Sequence, residues 1–336
     1  MSRATQPKAV MRIERPGMFS LLQDLGRLCH QRIGLPVNGP MDEWSHRLAN
    51  ALVGNPADAA VLECTLTGPR VSFGQDVLIA LCGADLQASA ERRPVPLQRP
   101  VMLHAGVALE FGECRSGARV YLAVRGGFAT EPVLGSRSTY VRGGIGGFQG
   151  RALKKGDVLP LGPVARETPL AGLLRDSGLR VLADLPRAMA LPGHLPGRLR
   201  FVPGPHWAHF TEEAQQAFAA LPYAITQETD RMGARLSGQA LKLKAPLELV
   251  SEATVFGTVQ VPPDGQPIVL MADRQSAGGY PKIGYVCSAD LPLLAQSRPG
   301  ETLGFTPVNQ QAAEQLWLES ETRLAAACAR AARALR

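Results

Sequence analysis

The density of glycine and proline is the tightest constraint on what this chain can fold into. The 336 residues hold 35 glycines and 27 prolines with no repeat period, and only 5% of residues are aromatic. Proline removes a backbone donor and glycine opens tight turns, so short segments between turns are favoured over long helices. A mostly β fold with a few helices is therefore expected. The chain is longer than the roughly 100–200 residues of a single domain, so two domains are expected.

The apolar runs support this reading. Asp76 to Cys82, Val101 to Phe111 and Ala118 to Arg125 read as strands. In the last of these, Val120, Leu122 and Val124 alternate with the equally apolar Tyr121 and Ala123, which points to burial on both faces. One helix interrupts the pattern from Met41: Trp44, Leu48 and Leu52 recur every four residues, and Gly54-Asn55-Pro56 supplies a stop. The chain changes character between about 164 and 198, where Pro169, Pro186, Pro192 and Pro196 punctuate a connector. Boundaries at 10–163, 164–198, 199–307 and 308–336 follow. In the second half, Leu199 to Val202, Leu247 to Val250, Thr254 to Val261 and Pro267 to Ala272 read as strands and Thr211 to Ala220 as a helix. The alanine-rich end from Val308 reads as a C-terminal helix.

Composition excludes several classes. Apolar residues form 45% and charged ones 19%, an ordinary globular balance. The longest apolar run, Val77 to Cys82, is far short of the roughly 20 residues that span a bilayer. Met1 to Pro16 lacks the apolar stretch of a secretory signal, so a cytoplasmic protein with six reduced cysteines is expected. The net charge of +7 is partly tail, where Arg323, Arg330, Arg333 and Arg336 face only Glu321. No basic run carries stacking aromatics, so nucleic acid is not an expected partner. Gly143 to Gly150 breaks the dinucleotide-binding spacing, and no Walker, H-E-x-x-H or G-x-S-x-G motif occurs. His206 and His209 stand three apart without an acidic or cysteine companion, and no metal is expected.

What remains is a set of compact polar loops. The first, Gly34 to Asp42, leads into a helix carrying Asn50. The second, Gly135-Ser136-Arg137-Ser138-Thr139, precedes the glycine-rich Gly143 to Gly150 and has the hydroxyls and arginine to cradle an anion. The third brackets Gly233 between Asp230, Arg231 and Arg235, and the fourth holds Ser251-Glu252 and Gln260. The fifth, Asp273-Arg274-Gln275-Ser276-Ala277-Gly278-Gly279-Tyr280-Pro281-Lys282, is the sharpest, because it ends on one of six lysines in a chain dominated by arginine. A solvated hairpin does not require that combination.

These loops carry a resemblance. Gln23-Asp24-Leu25-Gly26-Arg27, Gly39-Pro40-Met41-Asp42, Leu52-Val53-Gly54-Asn55, Tyr121 to Gly127, Gly135 to Thr139, Asp230-Arg231-Met232-Gly233, Gln260-Val261-Pro262 and Asp273 to Lys282 resemble, in this order, the KipA family. Its members form the C component of 5-oxoprolinase, and these carboxyltransferase-like proteins are also called allophanate hydrolase subunit 2. The chain departs from that pattern at Ala277, where a second hydroxyl is usual, and at His206, where a glutamine is usual.

The resemblance implies two cyclophilin-like β-barrel domains. It also implies two partners, a KipI-like B component and a further A component. The three together would hydrolyse 5-oxoproline to glutamate, with ATP and magnesium held at the level of the complex. The alternatives are the carboxyltransferase component of a urea or amide carboxylase, and a non-enzymatic regulator that binds a KipI-like protein. This chain lacks the Met-Lys-Met setting of a biotinylated lysine, so biotin would come from another polypeptide. On this reading Lys282, Asp273, Arg274 and Tyr280 are the expected catalytic residues. Asp42, Asn50, Ser136, Arg137, Ser138, Arg231, Arg235, Glu252, Gln260, Gln275 and Ser276 are the expected substrate-binding residues. Lys282 would supply a compact positive charge, the arginines planar forks, and Asp273 either an orienting carboxylate or a base.

Overall fold

A computed structural model describes residues 9–164 and 197–335, so all but the ends of the expected connector lie outside the described residues. The chain divides into two compact units. Within the described residues the first holds 9–26, 42–164 and 324–335, and the second holds 27–41 and 197–323.

The first unit is built on two sheets. One runs β11 (Val158–Pro160), β1 (Val10–Arg15), β4 (Arg70–Phe73), β9 (Ala108–Glu110), β6 (Ser89–Ala90) and β7 (Arg93–Pro94). The other runs β2 (Phe19–Gln23), β3 (Val61–Thr65), β10 (Ser116–Val124), β5 (Val77–Asp85) and β8 (Pro100–Leu103). Strand β10 meets the two-faced expectation. Val120, Leu122 and Val124 join the main core with Ile13, Val71 and Phe73. Tyr121 and Ala123 face a second apolar layer with Leu48, Leu52 and the helix residues Leu324 and Ala331. Each buried Val, Leu, Ile or Phe side chain contributes roughly 1.5–3 kcal/mol on full burial. The run Val101 to Phe111 is broken into β8 and β9 by a turn at Ala105-Gly106.

Helix α1 (Glu43–Leu52) starts where Asp42 accepts from the Ser45 N–H at 2.9 Å. It stops where Asn50 O accepts from Val53 N and Asn55 N. His46 on α1 is fully buried and faces the Gln23 carbonyl at 3.2 Å. Burial lowers its pKa from 6.5 to about 4. Between those values the unfolded chain holds a proton that the folded chain refuses, so stability is lost as pH falls through this window. From pH 7 to pH 5 the loss amounts to about 2 kcal/mol. In urea unfolding, His46→Gln, which keeps a donor for the Gln23 carbonyl, is expected to flatten this acid-side decline. An unchanged pH slope would assign it to other groups.

The second unit is a closed barrel in the order β12 (Arg198–Pro203), β19 (Lys282–Val286), β16 (Thr258–Gln260), β17 (Ile268–Leu270), β14 (Gly233–Ser237), β13 (Tyr223–Ile225) and β20 (Thr302–Pro307). The seam is the parallel pair β12–β20, with Leu199 opposite Phe305. Helix α2 (Glu212–Ala220), capped by Thr211, brings Phe218 onto Phe305 at 4.3 Å, with Phe201 edge-on at 4.9 Å. Such aromatic pairs add about 0.5–1.5 kcal/mol beyond the area they bury. The expected strand Leu247 to Val250 is not formed. Its alternating apolar pattern finds no pairing strand, and Val250 stands 87% exposed. Helices α3 (Leu291–Gln296) and α4 (Gln310–Ala334) complete the elements. No helix among the described residues is long and apolar enough to cross a membrane.

Candidate functional site

Lys282 opens β19 in register with Gln260 on β16, so the two side chains are cross-strand neighbours on one face of the barrel wall. Lys282 is 2% exposed, yet its ammonium lies 2.5 Å from Oε2 of Glu252, a residue half exposed. Glu252 belongs to β15 (Glu252–Ala253), which pairs with β18 (Ala277–Gly278) as a two-stranded ribbon. The ribbon is fastened by Thr254, whose N–H donates to Ser276 O at 3.0 Å and whose hydroxyl donates to Gln275 O at 2.5 Å. The fourth and fifth polar loops of the sequence are thereby joined over Lys282.

Two glycines permit this closeness. A Cβ on Gly278 would stand 2.6 Å from the Gln260 side-chain nitrogen, and one on Gly204 would stand 2.5 Å from the Lys282 carbonyl. Gly204 delivers His206, which is buried. The Lys282 N–H donates to His206 Nδ1 at 3.1 Å and the His206 N–H donates to Lys282 O at 3.3 Å. An accepting Nδ1 requires the neutral ring to carry its proton on Nε2. Burial lowers the His206 pKa, Lys282 acts in the same direction, and Glu252 opposes it. Glu252 is in turn held below the usual carboxylate range by its hydrogen bond to Lys282. The cluster therefore holds an ammonium, a carboxylate, a neutral imidazole and a primary amide whose nitrogen has no partner among the described residues.

Asp273 plays a different part. Arg231 grips it with two donors, Nε to Oδ2 at 2.9 Å and Nη2 to Oδ1 at 3.0 Å, while Asn38 Nδ2 donates to Oδ1 at 2.8 Å. Arg27 Nη1 donates to Asn38 Oδ1 at 2.8 Å, and Arg231 Nη2 donates to Gly39 O at 2.6 Å. All four side chains are buried. With both oxygens engaged, Asp273 is built to orient Arg231 and fasten the 27–41 segment of this unit, which fits its orienting role rather than that of a base. Arg274 donates to Met271 O at 3.3 Å and lies over Phe256, and burial lowers its pKa. Gln275 and Ser276 serve the ribbon through their backbone carbonyls. Tyr280 is 47% exposed and lines a cavity of about 690 Å³ with Leu241, Leu247 and Val261. Arg235 is exposed, with Glu228 at 3.8 Å.

The remaining expected site residues belong to the first unit, where each is engaged internally. Asp42 caps α1, and its N–H donates to the Tyr121 hydroxyl, which donates to Glu63 at 2.8 Å. Asn50 donates to Ala59 O at 2.8 Å and accepts from Asn55 at 3.1 Å. Ser136 and Ser138 do cradle an anion, but it is Asp24: both hydroxyls donate to its Oδ1, at 2.6 and 2.7 Å, and the Arg137 N–H donates to its Oδ2. In the glycine-rich stretch the N–H groups of Gly144, Gly147 and Gly150 donate to Val141, Arg137 and Gly146. These donors are turned inward and do not fit a bound phosphate.

His206, Asn38, Arg27 and Asp24 were not among the expected site residues. The signal for His206 was its departure from the family's glutamine. Asp24 and Arg27 lie inside a recognised motif and Asn38 inside the first polar loop, but nothing local marks their partners, up to 235 residues distant. Among the described residues no group of three or more His, Cys, Asp or Glu could hold a metal ion. Burial pushes the thiol of Cys64 up to about 12 and that of Cys287 to about 11, which removes both as nucleophiles at neutral pH.

Comparison with known proteins agrees with this framework. The model of the carboxyltransferase domain, subdomain A and B, matches residues 33–307. The C component of Escherichia coli 5-oxoprolinase is 39% identical over 88% of this chain and 90% of its own length. The crystal structure of TTHA0988 superposes with a TM-score of 0.75 at 38% identity, covering 90% of this chain and 56% of that one. The Kluyveromyces lactis urea carboxylase superposes with a TM-score of 0.83 at 29% identity, covering 96% of this chain and 30% of that one. This chain spans about half or less of those two longer structures. It belongs to the carboxyltransferase-domain family, subdomains A and B, that includes the C component of 5-oxoprolinase.

Proposed function

We propose that this chain is the C component of an ATP-dependent 5-oxoprolinase, which works in the cytoplasm with a KipI-like B component and a further A component to hydrolyse 5-oxoproline to L-glutamate. The observation that carries this reading is the buried Lys282 ammonium, held with Glu252, Gln260 and His206 under the β15–β18 ribbon. A buried ammonium beside amide and imidazole groups suits an anionic substrate, and 5-oxoproline carries a carboxylate. The identity to a relative named as this component over nearly its whole length supports the same assignment. ATP is assigned to the complex, and the internal bonds of the Gly144, Gly147 and Gly150 N–H groups favour its place on the other components.

Co-expression with the KipI-like chain is expected to give one heteromeric peak on size exclusion. Addition of the A component is expected to produce glutamate and ADP together from 5-oxoproline and ATP. Separate peaks, or ATP use driven by urea and bicarbonate instead, would overturn the assignment.

A further inference from the structure

Among the described residues of the barrel unit, three ion pairs with a buried member are not alike. In Arg231–Asp273 and Arg200–Asp290 both partners are less than a tenth exposed, and both carboxylate oxygens accept hydrogen bonds. In Lys282–Glu252 the lysine is 2% exposed and the glutamate 50%, joined through one oxygen. A pair built for stability is expected to satisfy the buried charge with a partner equally fixed. Here the buried member is met by a carboxylate that arrives from outside.

The Gln260 side-chain nitrogen adds an independent observation. It is a buried donor with no partner among the described residues, on the residue directly across from Lys282. An unmet buried donor is costly and marks a place where an acceptor is missing. Glu252 uses the ammonium and leaves the amide unmet. A free carboxylate has two oxygens and can take one donor from each. The ribbon that carries Glu252 is also short, its two strands tied to each other by Thr254. Its strands are two residues each, and its flanks expose Val250 and Val255. So short a ribbon has little stability of its own.

We propose that Lys282 and Gln260 form a carboxylate-binding subsite for a small carboxylic acid, and that Glu252 occupies it as a stand-in until the ligand displaces it. This deepens the reading of the Lys282 cluster as the substrate site, and it names the carboxylate end of the substrate as the group held there. The apparent affinity of the resting protein is then reduced by the fraction of molecules in which Glu252 is seated.

The test is calorimetric titration of the full chain, alone and in its co-purified complex, with acetate, 5-oxoproline and the neutral lactam pyrrolidin-2-one. In Glu252→Gln both carboxylates are expected to bind about tenfold tighter than in the wild type, with pyrrolidin-2-one unchanged. Glu252→Asp, which withdraws the carboxylate by one methylene, is expected to give a smaller gain, and Gln260→Leu to weaken both carboxylates. A structural role for the pair predicts the reverse, weaker binding in Glu252→Gln as Lys282 loses its anchor. That result, an equal gain for pyrrolidin-2-one, or no carboxylate binding to any variant would overturn the subsite. A gain for acetate without binding of 5-oxoproline keeps the subsite and removes the lactam assignment. Turnover of 5-oxoproline by the complex with no gain in Glu252→Gln does the opposite.

Discussion

Replacing Lys282 by methionine is expected to lower ATP-coupled hydrolysis of 5-oxoproline by the reconstituted complex about a hundredfold, with folding and partner binding nearly unchanged. The magnitude follows from the roughly 3 kcal/mol at stake when one partner of a buried, hydrogen-bonded charge pair with the substrate is removed. Methionine keeps the apolar stem, so the 2% exposed side chain still fills its place on the barrel wall. Glu252 loses its partner, but a half-exposed carboxylate is readily rehydrated, so little stability depends on the pair. The readouts are turnover, the denaturation midpoint of the isolated chain and co-elution with the KipI-like partner. A rate within threefold of wild type would remove Lys282 from the machinery. A matching loss of stability would instead make the lysine a packing residue.

What was legible in the sequence depended on how local the cause is. Helix α1 announced itself through Trp44, Leu48 and Leu52, and the structure adds the Asp42 cap that fixes its start. The two-faced burial of β10 could be read from five consecutive apolar residues. Leu247 to Val250 failed because strand character needs a neighbour, and the wall of the barrel closes without it. Closure itself was not readable from local pattern, since the β12–β20 seam joins residues about a hundred positions apart. The same divide runs through the polar loops. Ser136 and Ser138 are expected from their loop to meet a substrate anion, whereas the acceptor they meet is a carboxylate of the chain itself, 112 to 114 residues away. Glu252 and Lys282 stood out as separate loop residues. Their union depends on the ribbon pairing Glu252 with Gly278, which no periodicity announces.

Removing the Asp273 carboxylate is expected to destabilise the barrel unit strongly. Asp273→Ala deletes the acceptor of three hydrogen bonds, two from Arg231 and one from Asn38. It leaves the Arg231 guanidinium, 6% exposed, without the charge that neutralises it. Breaking a buried pair from one side costs about 3–5 kcal/mol, a large part of the roughly 5–15 kcal/mol that holds a typical domain folded. Asp273→Asn retains one acceptor oxygen and is expected to lose less. Replacing both partners by apolar residues, Arg231→Met with Asp273→Leu, is expected to recover much of the loss, because no buried charge is then stranded. Chemical denaturation of the three variants gives the ranking. Limited proteolysis adds the location, since the Asn38 bond and the Gly39 carbonyl tie the 27–41 segment to this pair and cleavage there should quicken in Asp273→Ala. A loss below about 1 kcal/mol, within the range of an exposed pair, would show that Asp273 is not the fastening point, and would reopen its other reading as a base.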